Sequence, residues 1–469
     1  MLFFTKKKLI LVFSFLVLLL AGLSFSYFLV KGQGNFLKKT TKNVLDLSFL
    51  ADLALEHKAQ EQKNDFSEKR TILPDFSSFR NVLQENKADF IEANLEEMKI
   101  TLYQKGEKQQ EANILKRGDE YAWGGTAAGI YQISSGYQTA FSAIAEVYMP
   151  YAMNFYGKYY LHGGPYYPSG AKMISEASGG CLQVKDDIAK EFFEKAELKM
   201  PFLVIDKKND NFVYPKTEIV VPTITSGSFL VADLDSGEIF AEQSSQERKQ
   251  IASITKLMTA IVVSENIDLR KEIVVQDYML NQGFGETESI KVGDYLDVVD
   301  LFYPLLIESS NDSAEVLAGF LGRNRTINLM NEKTKAILMP NTIFACPSGY
   351  SEGNISTARD LFYLARYVLK NRPLLFDISK SKEVPGFGKM SFDTSMFWNK
   401  NVFSEDETFV GGKTGYIKTS GYNGLFVFRF TTKEGEERNI VFILLGTPHL
   451  DEVKFNTQKL YIWLQNNFF

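Results

Sequence analysis

The residue types best suited to chemistry form two separate groups in this chain, one built on a serine and one on a cysteine. The serine group has three elements in chain order: Ser253-Ile-Thr-Lys256, Ser309-Ser310-Asn311 and Lys413-Thr414-Gly415. The cysteine group pairs His162-Gly163 with Ser178-Gly-Gly-Cys181. A hydroxyl or thiol beside a basic side chain is what covalent acyl transfer requires. The sequence therefore predicts two nucleophilic sites.

The serine and the lysine of the first element lie three positions apart at the start of a predicted helix. Such residues share one helix face, so the amine of Lys256 can reach the hydroxyl of Ser253. The N-terminus of a helix also offers N–H groups and a positive dipole to an oxyanion. A lysine that is partly buried beside a second cation can act as a base, because its proton is held less tightly. We expect Lys413 to be that second cation.

One such element alone occurs by chance on many helices, whereas three in this order and context form a specific pattern. Together with three further segments, these elements make residues 221–469 resemble the D-alanyl-D-alanine carboxypeptidases of the low-molecular-mass penicillin-binding protein type. The further segments are Pro347-Ser-Gly-Tyr350, Asn354-Ile-Ser-Thr-Ala-Arg-Asp360 and Gly412-Lys-Thr-Gly-Tyr416. The resemblance implies Ser253 as the nucleophile and Lys256 as its base.

The same resemblance assigns roles to the other two elements. Ser309 would relay protons and Asn311 would hold the substrate amide. Substrate binding would fall to the later strand, with Lys413 and Thr414 on the terminal carboxylate. The resemblance places the oxyanion hole at the backbone N–H groups of Ser253 and Tyr416, and Gly415 completes the substrate-binding strand.

A class A β-lactamase shares these three elements and is the nearest alternative. That enzyme needs a glutamate for deacylation, in an E-x-x-x-N loop between the second and third elements. No such loop occurs between Asn311 and Lys413. The carboxypeptidase interpretation is therefore favoured, and a β-lactamase-like hydrolase stays the alternative.

The cysteine group gains weight from its surroundings, because a histidine and a cysteine nineteen residues apart also fit a structural cysteine. Residues 98–206 resemble the L,D-transpeptidase catalytic domain through Thr126-Ala-Ala-Gly-Ile-Tyr131, Met149-Pro-Tyr-Ala-Met153, Tyr160-Leu-His-Gly163 and Ser178-Gly-Gly-Cys181. The resemblance implies Cys181 as nucleophile and His162 as its base, oriented by a carbonyl near Gly163. Ser178 and Gly180 would shape the turn. We expect the imidazole to lower the pKa of the thiol.

Two positions depart from the family pattern. Gly179 stands where a histidine is frequent, and Gln183 stands where an arginine is common. A glutamine cannot replace a planar cation, so substrate anchoring is either weakened or moved to Lys172 or Lys185. A degenerate domain that only binds stem peptides is the alternative. The second cysteine, Cys346, is interpreted as a buried apolar residue, and a Cys181–Cys346 disulfide stays open.

The N-terminus predicts the compartment. Lys6-Lys7-Lys8 precede an apolar run over residues 9–30, and about 20 apolar residues cross a bilayer as a helix. Basic residues before the run favour a cytoplasmic N-terminus and extracytoplasmic catalytic domains. A cleaved signal peptide is the alternative, but residues 26–31 offer no small-x-small site. We expect an uncleaved, single-pass anchor in the cell membrane.

The composition of this 469-residue chain limits the kinds of molecule that it is expected to bind. A net charge of −5 gives no basic footprint for nucleic acid. The histidines and cysteines show no metal-ligand spacing, so we expect no metal and, for covalent acyl transfer, no cofactor. The expected partners are peptidoglycan stem peptides, the membrane and β-lactams as covalent inhibitors.

The predicted fold class is multidomain: a transmembrane helix, a β-rich L,D-transpeptidase-like domain, and an α+β penicillin-binding-protein-like domain with an antiparallel sheet and a helical subdomain. We expect that sheet to combine strands from both ends of its domain, including a hairpin around Asp235-Ser-Gly237. The predicted boundaries are a cytoplasmic tail (1–8), the membrane helix (9–30), a stalk (31–97), the first domain (98–206), a linker (207–220) and the serine domain (221–469).

These features predict a bifunctional peptidoglycan-modifying enzyme. Its serine D,D-carboxypeptidase would remove the terminal D-Ala of stem pentapeptides, and its cysteine L,D-transpeptidase would use the resulting tetrapeptides. The alternatives are a single active serine domain beside a degenerate cysteine domain, and a wall-binding or sensing protein without turnover.

Overall fold

The computed structural model describes residues 71–119, 123–174, 179–215, 219–280, 290–384 and 397–469. The predicted tail and membrane span, and the predicted stalk up to residue 70, lie outside these ranges. None of the helices that the structure describes is both long and apolar enough to cross a membrane.

The first domain combines two β-sheets with short helices, as the alternating pattern predicted. Its elements are α1 (Ser78–Glu85), β1 (Phe90–Asn94), β2 (Lys99–Gln104), β3 (Glu107–Asn113), β4 (Gly129–Gln132), β5 (Ser135–Ser142), β6 (Val147–Tyr156), β7 (Tyr159–His162), β8 (Leu182–Gln183), α2 (Asp186–Lys195) and β9 (Pro201–Ile205). One sheet has the order β3-β2-β1-β9-β4 and the other β5-β6-β7-β8. Parallel pairing of β7 with β8 brings the histidine and cysteine segments together.

This domain begins earlier than the predicted boundary at residue 98. Strand β1 lies inside the sheet, antiparallel to β2 and parallel to β9. The sequence of β1 does not indicate a buried strand, because it includes the polar residues Glu92 and Asn94, which are buried among its apolar residues. Arg80 on α1 forms an ion pair with Glu92, and the side chain of Asn94 accepts from two backbone N–H groups. Satisfied polar groups can lie in a buried strand, so the polar residues of β1 are compatible with its place inside the sheet.

The second domain is built on a five-stranded sheet of order β11-β10-β18-β17-β16, in which every pairing is antiparallel. Its strands are β10 (Ser228–Asp233), β11 (Ile239–Gln243), β12 (Lys249–Gln250), β13 (Glu272–Val274), β14 (Tyr295–Asp297), β15 (Ile355–Ser356), β16 (Phe409–Ile417), β17 (Gly421–Thr431) and β18 (Glu437–Thr447). Its helices are α3 (Thr255–Asn266), α4 (Asp277–Leu280), α5 (Phe302–Leu306), α6 (Asn311–Leu321), α7 (Arg323–Ala336), α8 (Ala358–Asn371), α9 (Pro373–Ser379) and α10 (Leu450–Phe468).

The pairing of β10 with β18 confirms that both ends of the domain contribute to one sheet. Alternate residues of the central strands serve two different cores, as the period of a strand requires. Phe442 and Leu444 belong to a cluster that includes residues of α10, whereas Val441 and Ile443 belong to a larger cluster with residues of α3 and α8. The larger cluster continues through the first domain.

The described part of the predicted linker packs against the serine domain. Arg438 on β18 forms ion pairs with Asp210 and with the buried Asp233. Tyr214, also buried, donates a hydrogen bond of 2.9 Å to the Asp233 carboxylate. Asp210 and Tyr214 thus hold residues 207–215 of the predicted linker against the serine domain.

A buried charged cluster lies where the two domains meet. Glu265 on α3 forms ion pairs of 2.9 Å with Lys333 and 2.8 Å with Arg372, and all three side chains are at most 1% exposed. From the first domain, Tyr131 accepts a 2.9 Å hydrogen bond from Lys333, and Tyr159 accepts one of the same length from Arg372. Burial of charge is tolerated only when such partners are present, so the cluster holds the domains in one arrangement.

Candidate active sites

The serine site begins at a short 3₁₀ turn, Ala252–Ile254, directly before α3. Ser253 is half-buried in this turn. Ala252 has a φ of 47°, a left-handed conformation that costs a non-glycine residue about 1–3 kcal/mol and recurs at active sites. The turn therefore presents Ser253 at the N-terminal end of α3, as predicted from the sequence.

Lys256 lies one helical turn further on and is fully buried. Its ammonium group is 2.9 Å from Ser253 Oγ and 2.7 Å from Asn311 Oδ1. A third contact, of 2.6 Å, goes to the carbonyl of Ser348. Burial and the nearby cation of Lys400 lower the pKa of Lys256 to about 7. The structure thus brings together the serine, its predicted base and the predicted asparagine.

The second element forms the loop before α6. Ser310 is buried and caps the helix, its hydroxyl accepting a 3.1 Å hydrogen bond from the N–H of Ser313. This cap orients Asn311 at the first helical position. Ser309 is half-buried and has a φ of 63°, a second strained position two residues from the amide that contacts Lys256.

Lys413 lies on β16 and is fully buried. Burial, together with the cations of Lys256 and Lys400, lowers its pKa well below the usual range for lysine. The Lys256 cation thus lowers the pKa of Lys413, whereas the cation that lowers the pKa of Lys256 is Lys400 and not the expected Lys413. Lys400 was missed because it belongs to no motif. The loop that carries Lys400 contacts β16, because the Lys400 carbonyl accepts a 3.2 Å hydrogen bond from the Thr414 hydroxyl.

The strand that carries Lys413 runs directly beside the nucleophile. A Cβ on Gly415 would lie 2.9 Å from the backbone nitrogen of Ser253 and 2.8 Å from the carbonyl of Ile251. Only glycine allows this approach. The next residue, Tyr416, is 52% exposed and follows Gly415 on the strand that passes Ser253. This geometry fits the expected oxyanion hole.

Asn354 is a positioning residue to which the sequence analysis gave no role. It is fully buried, and its amide donates 2.9 Å hydrogen bonds to the Thr255 hydroxyl and to the Cys346 carbonyl. Its oxygen accepts from the N–H groups of Ala345 and Cys346, both at 3.0 Å. Asn354 thus joins the start of α3 to the loop that carries Ser348, which in turn contacts Lys256.

The cysteine site is organised around His162 at the end of β7. Its Nδ1 lies 2.6 Å from the carbonyl of Gly163, so Nδ1 carries the proton and Nε2 is left to accept one. The side chain is buried, and burial lowers the pKa of the imidazole. A neutral imidazole held in one tautomer is the form that a general base requires, and the predicted carbonyl orients it.

Cys181 lies directly before β8, in contact with Tyr160. Its sulfur accepts a 3.4 Å hydrogen bond from the Tyr160 N–H and donates one of 3.7 Å to the Lys158 carbonyl. Burial raises the pKa of the thiol to about 11. The expected lowering of this pKa is therefore wrong, because burial outweighs the hydrogen bond from the Tyr160 N–H and the nearby cation of Lys158. Cys181 and Cys346 form no disulfide.

The turn before Cys181 is constrained on one side and open on the other. Gly180 has a φ of 112°, and a Cβ on it would lie 2.0 Å from the ring of Tyr159. A Cβ on Gly179 would have no atom of the described residues within 4 Å. Gly180 therefore shapes the turn as predicted, whereas Gly179 could carry a side chain. Ser178, also assigned to this turn, lies outside the described residues.

His162 and Cys181 line the same cavity, of about 490 Å³. Residues from both domains form its walls: Lys116, Trp123, Gly124, Ser142, Ile144, Ala145, Val147, Met149, Lys158, Pro165, Met173, Gly179, Gln183, Asp268, Leu269 and Arg270. Lys172 and Lys185, the suggested alternative anchors, are not among the described residues that line it. The last three lining residues follow α3 in the serine domain and carried no sequence signal.

The serine, lysine and asparagine geometry defines a serine acyl-transfer site on an α+β domain. A family model described as D-alanyl-D-alanine carboxypeptidase matches residues 215–447. A second family model, described as L,D-transpeptidase catalytic domain, matches residues 88–220 and includes strand β1. Both resemblances inferred from the motifs are confirmed. The chain belongs to the D-alanyl-D-alanine carboxypeptidase family, and an L,D-transpeptidase-type domain precedes the serine domain.

Individual relatives agree with this assignment. The chain is 32% identical over 215 residues to a D-alanyl-D-alanine endopeptidase of Haemophilus influenzae, covering 44% of this chain and 71% of that protein. It is 27% identical over 259 residues to the D-alanyl-D-alanine carboxypeptidase DacC of Escherichia coli, covering 52% of this chain and 62% of that protein. The chain spans less than two thirds of the length of several such carboxypeptidases, 62–65%.

Among solved structures, a D-alanyl-D-alanine carboxypeptidase from Mycobacterium tuberculosis H37Rv is similar over 54% of this chain and 95% of its own, with 24% identity and a TM-score of 0.46.

Proposed function

We propose that this chain is a bifunctional peptidoglycan-modifying enzyme in which both domains are active. The observation that supports the serine activity is the position of the Lys256 amine, 2.9 Å from Ser253 Oγ and 2.7 Å from Asn311 Oδ1. A lysine whose pKa lies near 7 is partly neutral at physiological pH and can take the serine proton.

In the proposed carboxypeptidase reaction, Ser253 Oγ attacks the carbonyl carbon of the penultimate D-Ala of a stem pentapeptide. Lys256 accepts the hydroxyl proton and passes it to the departing amine as the C–N bond breaks, so that D-Ala leaves. Water then hydrolyses the ester. The substrate carboxylate would meet Lys413, and its charge would raise the depressed pKa of that lysine.

The experiment for this site is labelling of the full chain with a fluorescent penicillin. We expect a covalent adduct in the wild-type chain and none in Ser253→Ala, because the acyl bond forms on Oγ. Cys181→Ala is the matched control and should label at the wild-type rate. Labelling of Ser253→Ala at that rate would contradict the assignment.

A second candidate for the serine site is endopeptidase cleavage of D,D-cross-links. It is favoured by the higher identity with the endopeptidase of Haemophilus influenzae, 32%, than with DacC, 27%. Incubating the full chain with a purified pentapeptide and, separately, with a cross-linked muropeptide dimer separates the two activities by mass. Release of D-Ala alone supports carboxypeptidase activity, and conversion of dimer to monomers supports endopeptidase activity.

For the cysteine site we propose L,D-transpeptidation, supported by the shared cavity of His162 and Cys181 and by the orientation of the imidazole. Cys181 Sγ would attack the carbonyl of the third stem residue, and His162 Nε2 would carry the thiol proton to the departing D-Ala. An amine of a second stem would then attack the thioester and release the thiol. The alternative of a degenerate, binding-only domain predicts no thioester.

Carbapenem acylation tests the cysteine site independently of transpeptidation. Mass analysis should find the adduct on the peptide containing Cys181, and Cys181→Ser should not form that thioester. Muropeptide analysis of sacculi treated with the chain then separates cross-linking from hydrolysis. If the chain forms no cross-linked product, no hydrolysis product and no carbapenem adduct on Cys181, the binding-only alternative is supported.

The proposed reactions are consecutive, because the tetrapeptide left by the serine domain is the acyl donor of the cysteine domain. We also propose that the apolar run at residues 9–30 anchors both domains outside the cytoplasmic membrane, close to the wall. A chain split between the domains should convert pentapeptide sacculi to L,D-cross-links more slowly than the intact chain, since tethered sites share a high effective concentration. Equal rates would remove the kinetic advantage of the fusion.

A further inference from the structure

The cavity that contains Cys181 is closed by the serine domain. Asp268, Leu269 and Arg270 line it, and they follow directly after α3, the helix that begins beside Ser253. Lys158 of the first domain contacts the C-terminal end of this helix and the residue after it. Its ammonium group donates hydrogen bonds of 2.9 Å and 3.1 Å to the carbonyls of Ser264 and Ile267. The two sites therefore share one helix, with a catalytic centre near each end.

The charge of this cavity favours an anion. Among the described residues that line it, Lys116, Lys158 and Arg270 are cationic and Asp268 is the one carboxylate. Lys158 is the least available of the cations, because burial lowers its pKa to about 8 and two carbonyls already accept from it. Arg270 keeps its charge at any physiological pH, and its side chain is 51% exposed. Lys116 is half-buried, so Arg270 is the most exposed of the three cations and the best able to contact a ligand.

Arg270 is also held in position. Its Nε and Nη2 donate hydrogen bonds of 2.9 Å and 2.8 Å to the two oxygens of Asp268, and Nη2 lies 3.4 Å from the carbonyl of Ile144 in the first domain. Among the described residues, none accepts a hydrogen bond from Nη1. A guanidinium fixed on one edge and open on another is prepared to bind a carboxylate.

A second group in the cavity lacks a partner. Trp123 lines the cavity and is 5% exposed, and its indole Nε1 has no hydrogen-bond partner among the described residues. Its ring packs 5.3 Å from that of Phe302 in the serine domain. A buried N–H without an acceptor is costly, and a ligand with an acceptor oxygen would satisfy it.

We propose that Arg270, supplied by the serine domain, is a specificity-determining residue of the cysteine site that binds a carboxylate of the stem peptide, with Trp123 Nε1 as an additional donor. This inference rests on the proposed L,D-transpeptidase function for the identity of the peptide. It explains how the site binds an anionic substrate although Gln183, in the same cavity, is uncharged. The carboxylate is either that of the terminal D-Ala or one on the third residue.

The test uses Trp123 as a local probe. The chain has three tryptophans: Trp123 in the cavity, Trp398 with 80% exposure, and Trp463, whose Nε1 donates to the Val220 carbonyl at 3.1 Å. The indole signal of Trp123, assigned with Trp123→Phe, would be followed by NMR in the ¹⁵N-labelled full chain carrying Cys181→Ala, so that peptide is not consumed. Titration with a stem tetrapeptide should shift this signal.

Arg270→Gln should weaken the tetrapeptide affinity by roughly tenfold or more, the effect of losing a charge-assisted contact. Arg270→Lys should recover only part of it, because a lysine cannot form the planar fork. Arg429→Gln is the matched control, since Arg429 is 53% exposed and pairs with Glu437 elsewhere. It should bind as the parent does, and thermal unfolding of each variant checks the fold.

Amidated peptides identify the carboxylate. If the terminal carboxylate is the ligand, amidating it should weaken binding to the parent protein. The loss of affinity should equal the loss that Arg270→Gln causes for the unmodified tetrapeptide. If the third residue supplies it, amidation there should have that effect instead. Equal affinity of all three peptides, equal affinity of Arg270→Gln and its parent, or an unmoved Trp123 signal would overturn the proposal.

Binding and chemistry separate the two hypotheses. Binding that depends on Arg270, in a chain whose Cys181 forms no thioester with tetrapeptide or carbapenem, would contradict the proposed transpeptidation and retain the Arg270 site. A thioester that forms equally well with Arg270→Gln would retain transpeptidation and contradict the Arg270 site.

Discussion

Arg372 Nη2 donates a 2.9 Å hydrogen bond to the hydroxyl of Tyr159, joining the serine domain to the first domain through two fully buried side chains. The other side of Tyr159 supports the cysteine turn, because its ring lies where a Cβ of Gly180 would be. Arg372 is paired in turn with Glu265 near the C-terminal end of α3. The geometry of the cysteine site therefore depends on the packing of the serine domain.

Glu265→Gln should lower the free energy of unfolding by about 3–5 kcal/mol, because it leaves the buried Lys333 and Arg372 without their anion. Chemical denaturation of the full chain measures this effect. Glu437→Gln is the control, since its pair with Arg429 is exposed and should contribute less than about 1 kcal/mol. Equal stability losses in the two variants would show that the cluster does not hold the domains together.

Gly180→Ala should abolish the cysteine activity, because the added methyl group meets the Tyr159 ring at 2.0 Å and the φ of 112° is unfavourable for alanine. Gly179→Ala, one residue earlier, adds the same methyl group with no atom of the described residues within 4 Å and should stay active. Carbapenem acylation of Cys181 measures both. Penicillin labelling of Ser253 should be unchanged in both variants, and a matching loss in Gly179→Ala would contradict the steric explanation.

Acylation of Ser253 should accelerate as pH rises through about 7 and then level off. The reason is that burial lowers the pKa of Lys256 to about 7, and only the neutral amine can accept the serine proton. Second-order rate constants for penicillin labelling between about pH 5 and 9 measure the midpoint.

Lys400→Met should move this midpoint to higher pH, because the Lys400 cation contributes to lowering the pKa of Lys256. Lys433→Met removes an exposed lysine from the turn between β17 and β18 and should leave the midpoint in place. A flat pH profile would rule out Lys256 as the titrating base.

His162→Ala should slow acylation of Cys181 at neutral pH by about 10²–10⁴-fold, the usual contribution of a general base. Since burial raises the pKa of the thiol to about 11, little thiolate exists at neutral pH without a base. The deficit should shrink as pH rises toward 10, because the thiolate then forms unaided. His449→Ala, an exposed histidine, serves as the control; a deficit that is constant with pH would assign His162 a structural role instead.

Short-range spacing explains why so much of the serine site was predictable. Ser253 and Lys256 are neighbours on one helix, and a capped helix start fixes Asn311. Glycine is required at position 415 because β16 passes close to the backbone of Ile251 and Ser253. A glycine in the sequence is itself an indication of such a close approach. The orientation of His162 by the Gly163 carbonyl is likewise a contact between adjacent residues.

The sequence by itself determined the candidate catalytic residues and part of their local geometry, because the Ser253–Lys256 pair, the cap before Asn311 and the contact of His162 with the Gly163 carbonyl are each only one to three residues long. Only the tertiary structure decided the surroundings of those residues. It buried Cys181 and so raised the pKa of its thiol, which no local pattern reports. It also brought Arg270 into the cavity of a cysteine 89 positions earlier in the chain. Burial and electrostatic environment are sums over residues distant in sequence, so they exist only once both domains have packed together.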